Sequence, residues 1–558
     1  MEPRQQQLER CAQLLSRRST DDEKLAGLLL VPKVVDIHDT SALAFVLSAL
    51  DARFLERLLR TGAKHFTKTT ADSSTPFSES TESAMLLVAV RVIDVFAAHA
   101  DVAQSPKLLD RIPTLYRVAA LDIPGVSAEA AQVLAALLDR DPAVQGILER
   151  PGALADAIDG ETARNVDALG YVLNRCSRFV CAQEDVERFV CAQEDVERYA
   201  HGWVVLVERA ALLFCDVRDV RKFQLMSALA SCLEPVDSDD ARMVDAAREC
   251  LLVVQRVSSG CTWILRQKSE TTEYADQALV LYSHLVRLWP SHVFGARDHK
   301  GKSPEHAAAP AAGTETDRSG EGRKESELAL RLACIEGQSS IDKMMIRPPP
   351  EDKDPVSVRE SEAARVRLGW KYPVCAEIVS GWLVWVSRWL DDQPESSAVD
   401  EGGILELMTE VQALAQATVN FFVDWKERLD NEAEMLDLAP EIVLSAVHFL
   451  GEWLATDPKL HKAALPLISM CAAWVAGGGE TGKTIAEYMR PCVLFALDMC
   501  GISEMQYVDD LKTGDCRHEG NRNAENASSW VGTIEMDDLA RAIYAIPSDQ
   551  DVLLARPS

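Results

Sequence analysis

Residues 21–35 read DDEKLAGLLLVPKVV, and residues 48–62 read SALDARFLERLLRTG. These two stretches decide the fold. Thr20 followed by Glu23 is a capping box, in which the hydroxyl takes the N3 amide and the carboxylate reaches back to the cap amide. Behind that start, Leu25, Leu28, Leu29 and Val35 recur at helical spacing. Leu43, Leu47, Leu50, Phe54, Leu58 and Leu59 carry the stripe onward. The same period returns over Ala84–Ala100, Ala128–Leu138, Trp203–Phe214, Met243–Val257, Tyr274–Leu288, Ile378–Leu390, Ile404–Phe422 and Ile442–Leu454. Alternating strands joined by Asn-Gly or Asp-Gly turns, the mark of a β domain, are missing from the sequence. Each helix needs a partner for its apolar face, and short polar connections place that partner next in the chain. The pattern predicts an all-α, armadillo/HEAT-like helical-repeat superhelix, an α-solenoid.

At 558 residues the chain is too long for one ordinary core, whereas a solenoid grows without limit because each repeat touches only its neighbours. Residues 295–325, GARDHKGKSPEHAAAPAAGTETDRSGEGRKE, are rich in Gly, Pro, Ala and charge, and bury too little to offset their ordering entropy. The expected layout is therefore a helical array over 1–293, a flexible insertion over 294–325 and a second array over 326–514. A polar loop with a C-terminal helix or tail covers 515–558. Pro348–Glu362 reads as a shorter break and Asp515–Ser529 as another loop.

The net charge is −29, opposite to what phosphate neutralisation by Lys and Arg requires, so direct binding of nucleic acid is not expected. Proteins with basic or amphipathic segments are the natural complement. Arg91 and Arg388 break the longest apolar runs, so no spanning helix is predicted. The opening MEPRQQQLERC lacks the apolar stretch of a signal peptide, which points to the cytoplasm. There, 14 Cys residues without a CxxC pair are expected as reduced core thiols.

The opening stretches also resemble the neurochondrin family. The matching positions are Glu23, Lys24, Leu25, Ala26, Leu28, Leu29, Leu30, Val31 and Lys33, then Phe54, Leu55, Arg57, Leu58 and Leu59. Fainter echoes follow in order at Leu109–Pro113, Leu328–Cys334 and His448–Leu454. The resemblance implies an armadillo-like superhelix without catalytic residues. It further implies restraint of a calcium/calmodulin-dependent kinase and peripheral association with endosomal membranes. This sequence departs from the family at Pro32, where a kink is expected, and in an exact tandem repeat. RFVCAQEDVE occupies 178–187 and again 188–197. Ten residues return the copy about 80° off the original helical face, so one helix cannot bury both Phe179 and Phe189. A duplication lengthening a helix or loop is the simplest account.

One motif carries chemistry. Gly477-Gly478-Gly479-Glu480-Thr481-Gly482-Lys483-Thr484 fits the P-loop pattern, in which Lys483 would meet phosphates and Thr484 a magnesium ion. A P-loop needs a strand before it, and Leu465–Ala476 reads as helix. The pseudo-Walker B at Val493–Asp498 also follows too closely to leave room for a crossover helix. A Gly-rich inter-helix loop, with no cofactor, is the expectation. Trp382, Trp385 and Trp389 share one helical face, as solenoid core or as an aromatic ladder in a peptide groove. Phe421, Phe422 and Trp425 present the same choice. His448 reads as a core histidine, and no His spacing fits a metal site. Asp509, Asp510, Glu535, Asp537 and Asp538 read as a solvated acidic face. Together these readings predict a non-catalytic scaffold for signalling or membrane-trafficking proteins. Two alternatives are a nucleotide-dependent switch at 477–484 and an accessory subunit of a trafficking or ribonucleoprotein assembly.

Overall fold

The computed structural model describes residues 3–69, 81–158, 165–187, 193–236, 251–267, 272–294, 318–345, 355–392, 401–431, 440–456, 460–477, 479–499, 539–540 and 543. Among the described residues there are helices and no strands, so the all-α reading holds. The chain divides into two compact units at Trp289/Pro290.

The first unit opens with α1 (Pro3–Leu14), α2 (Asp21–Val34), α3 (Thr40–Ala49), α4 (Ala52–Thr69) and α5 (Thr81–Ala97). Short helices follow: α6 (Ala100–Ala103), α7 (Pro106–Leu109), α8 (Ile112–Ala120), α9 (Ser127–Leu138), α10 (Asp141–Glu149) and α11 (Pro151–Ala155). Longer ones close the unit: α12 (Asp167–Glu187), α13 (Gln193–Asp216), α14 (Arg221–Leu233), α15 (Leu251–Arg266) and α16 (Thr272–Leu288). They stack in two rows. One runs α2, α5, α9, α12, α14, α16, and the other α4, α8, α11, α13, α15, each helix packing on the next in its row. Contacts of α4 with α5, α8 with α9, α12 with α13 and α15 with α16 tie the rows together. The helices of the two rows thus pack on neighbouring helices of the array, as repeats do.

The capping box forms as read: Glu23 N–H donates to Thr20 Oγ1 at 3.3 Å, and Thr20 N–H donates to the Glu23 carboxylate at 2.8 Å. Pro32 lies in the last turn of α2, where its missing N–H leaves the Leu28 carbonyl without its helical donor; the helix still runs to Val34, and Val35 N–H donates to the Val31 carbonyl at 3.0 Å.

Helix C-termini in this unit are met by cations from neighbouring helices. Lys107 donates to the carbonyls of Leu47, Ser48 and Leu50 at 2.9, 2.7 and 3.0 Å. Arg140 reaches Ala97 at 3.0 Å and Arg175 reaches Leu138 at 3.0 Å. Arg209 reaches Ile158 at 2.7 Å, and Arg287 reaches Leu233 and Glu234 at 3.1 and 3.2 Å. These bonds satisfy orphan carbonyls and set positive charge at the negative end of the helix dipole.

The second unit holds α17 (Pro290–Phe294), α18 (Arg318–Met345), α19 (Pro355–Asp392), α20 (Glu401–Asn431), α21 (Pro440–Thr456), α22 (His461–Gly477) and α23 (Gly479–Met499). Here α18, α20 and α22 form one row and α19, α21 and α23 the other. Residues 318–325, expected within the flexible insertion, open α18, and residues 355–362, expected within a break, open α19. Both are charged stretches next to a strong apolar stripe. Extending a helix that already exists costs little, whereas nucleating one costs much. Residues 295–317 and 515–529 and the acids at 509, 510, 535, 537 and 538 lie outside the described residues.

The duplication spans the end of one helix and the start of the next. Its first copy closes α12, and the last five residues of the second open α13, so the copies belong to different helices. Phe179 packs edge-on against Tyr199 at 5.7 Å, and Phe189 lies outside the described residues.

Candidate protein-interaction surface

The Gly-rich motif is mostly helix. α22 ends at Gly477 and α23 begins at Gly479, so seven of the eight motif residues are helical and position 478 lies outside the described residues. Gly482 has a packing reason to be glycine, because an added Cβ would stand 3.0 Å from the Trp474 carbonyl oxygen. The small residue lets the start of α23 pack closely against the end of α22. Lys483 is exposed, Thr484 is half-buried, and the segment before the motif is helical, as is Val493–Asp498.

The tryptophan ladder is divided. Trp382 is core, while Trp385 and Trp389 are half-buried and stacked at 6.2 Å, with Phe294 of α17 against Trp385 at 5.9 Å. Phe421, Phe422 and Trp425 are all buried. His448 stacks on Tyr488 at 4.4 Å, and burial depresses its pKa.

The family-like residues build the first repeat. Leu28, Phe54, Leu55 and Leu59 are buried; Leu30 and Leu58 are half-buried; Leu29 faces out. Lys24 Nζ meets Asp51 at 2.9 Å in a buried pair, and Lys24 and Arg57 lie over the Phe54 ring at 5.6 and 5.3 Å. Burial alone would raise the Asp51 pKa. The Lys24 hydrogen bond and charge, with the Arg53 amide, outweigh it and hold the carboxyl below its ordinary value. Arg57 also pairs with Asp21.

Buried thiols are unreactive: desolvation pushes Cys11 up to about 11 and Cys176 to about 12. Among the described residues no group of three His, Cys, Asp or Glu side chains is placed to hold a metal. A cavity lined by Trp203, Val207, Leu233, Val257, Leu285 and Trp289 measures about 20 Å³, roughly one water's room.

One surface was not anticipated. On α15, Val254, Val257, Cys261 and Ile264 face the core, and Trp263 falls off that stripe at 53% exposure. Val220, ahead of α14, is 62% exposed. Lys222 joins the two places, its ammonium 4.6 Å from the Phe214 ring, 5.7 Å from Trp263 and 3.1 Å from the Phe214 carbonyl oxygen. Phe223 stacks on Tyr274 at 3.6 Å beside it. The signal was readable in the sequence, because a helical wheel of 251–266 puts Trp263 with Arg256 and Arg266, away from the aliphatic stripe.

With this geometry established, the comparisons with known proteins decide the family. A sequence model described as Neurochondrin matches residues 2–470. The chain belongs to the neurochondrin family. No curated protein matches it. One solved structure, described as "A conserved phosphorylation switch controls the interaction between cadherin and beta-catenin in vitro and in vivo", aligns with 92% of this chain and 99% of its own. The identity is 11% and the TM-score 0.25, a likeness too loose to bear on the fold. For this neurochondrin-family chain the helical array is established by its own helices. No described helix is long and apolar enough to cross a membrane.

Proposed function

We propose that this chain is a non-catalytic protein-binding scaffold, in which two helical arrays present extended faces to segments of signalling or membrane-trafficking proteins. The observation that carries the reading is the two-row stacking: neighbours consume the apolar stripes and leave outer faces that continue from helix to helix. Membership of the neurochondrin family supports it. The net charge of −29 favours capture of basic or amphipathic partner segments, chiefly through the association rate. Trp385 and Trp389 remain candidate anchors because part of each ring is still open.

The test is quantitative co-purification of the tagged chain at low and physiological salt, with mass spectrometry. A reproducible partner whose association slows as salt rises supports the scaffold reading with electrostatic capture. Failure to retain any protein at either salt overturns it. A partner whose association rate ignores salt removes the electrostatic part.

A further inference from the structure

We propose that the Trp263 face of α15 docks an acidic segment of a partner protein that carries an apolar anchor. This goes beyond the scaffold reading, which assigns the chain's charge to basic partners, and it adds a surface of opposite sign.

The argument starts from exposure. Trp203 and Trp453 are almost wholly buried, and Trp370 is exposed to 37%. Trp263 lies more than half in solvent. A large ring left in water costs apolar hydration, and tryptophan is among the side chains most enriched where binding energy concentrates. Val220, Phe223 and Tyr274 extend the apolar area around Lys222.

The charge around the ring names the occupant. Arg256 and Arg266 lie within about 60° of Trp263 on the helical wheel, and both are exposed. Arg218 is exposed beside Val220, and Lys222 sits over the Trp263 ring. Among the described residues none of these four cations is paired with a carboxylate. Among the described residues the nearby acids are Asp219, held by Arg221 at 2.8 Å, and the exposed Asp216 and Glu273. The chain as a whole carries −29, so a cluster of cations with no carboxylate partner among the described residues stands out against it. An acidic peptide feels this local field within a Debye length of about 8 Å. An anionic bilayer faces the whole chain, whose net charge repels it. The geometry therefore favours a peptide, with an aliphatic or aromatic side chain on Trp263 and carboxylates over Arg256, Arg266 and Lys222.

The experiment selects binders to the full-length chain from a random peptide library. It then measures the enriched peptides by fluorescence anisotropy against the chain, Trp263→Ser and Arg256→Glu/Arg266→Glu. All three replaced residues are exposed, and circular dichroism confirms that each variant folds. Enriched peptides with carboxylates around an apolar residue are expected, losing at least about tenfold in affinity to either variant. Lys-for-Glu copies of those peptides should bind no better than scrambled ones. Enrichment of basic peptides alone, or binding indifferent to Trp263→Ser, overturns the proposal. Anionic vesicles that bind the chain and release Trp263→Ser, while no acidic peptide binds, replace it with a membrane surface. Co-purified basic partners that survive both variants leave the scaffold reading standing whatever the peptides do, so the two fail separately.

Discussion

Lys24 and Asp51 form an ion pair taken almost entirely out of water, which is worthwhile only while both partners are present. Lys24→Met strands a buried carboxylate and is expected to destabilise the first unit by about 3–5 kcal/mol, measured by urea unfolding. Because the folded-state pKa of Asp51 is depressed, its contribution is fully present above the unfolded value of about 4. It is lost as pH falls through the folded value. His284 has the same sign for a different reason. Burial, reinforced by Arg287, lowers its pKa to about 4, so the neutral ring is the folded form. Between the ordinary value of about 6.5 and about 4 the unfolded chain binds the extra proton, and stability falls as pH falls. His284→Gln should flatten the loss measured between about pH 7 and pH 5 by roughly 1–2 kcal/mol; an unchanged slope would refute the assignment.

At the level of elements, the cations that meet helix ends make a direct prediction. Lys107→Met removes three charge-assisted bonds from the end of α3 and should cost about 1–3 kcal/mol. Hydrogen exchange would show it as faster opening at the end of α3. Glycines separate packing from propensity. At Gly451 an added Cβ strikes the Tyr488 carbonyl oxygen where α21 crosses α23, so Gly451→Ala should destabilise the second unit by several kcal/mol, of order 3. Nothing lies near Gly146 in α10, where alanine should stabilise by about 0.5–1 kcal/mol, and thermal melts of both variants test the contrast. Legibility also divides at this scale. The capping box at Thr20 and the apolar stripes are local patterns, so the sequence carries them in full. The Lys24–Asp51 pair spans 27 positions, and the carbonyls that Lys107 and Arg287 reach lie more than 50 positions away. Backbone acceptors leave no residue-type signature, so no reading of side chains finds them. The spacing of Trp382, Trp385 and Trp389 placed them on one face, but which rings stay open depends on Phe294, which arrives from a separate helix. Trp263 stands off the aliphatic stripe of α15 on the helical wheel, but how much of its ring meets water depends on Lys222, which arrives from another helix.

For the whole molecule, each unit has its own core, with Val90, Phe96 and Leu169 among the buried residues of the first and Phe422, Phe449 and Cys471 among those of the second. Residues 1–289 and 290–558, produced separately, are each expected to give a helical protein with a cooperative melt. A non-cooperative trace from either would show that it depends on the other. All-α architecture was legible because the apolar stripes repeat at one period; the sequence places the end of the first array at 293 from the change of composition that follows, and the compact units divide at Trp289/Pro290, where only Trp289 separates α16 from α17. The repeated RFVCAQEDVE marks where this architecture accepts new material. The two copies together supply the end of α12 and the start of α13, and Tyr199 of α13 packs on Phe179 of α12. A reporter epitope or small fluorescent module spliced after Glu187 would use a seam that the gene has already opened once, giving a way to follow the protein in cells with both ends left free.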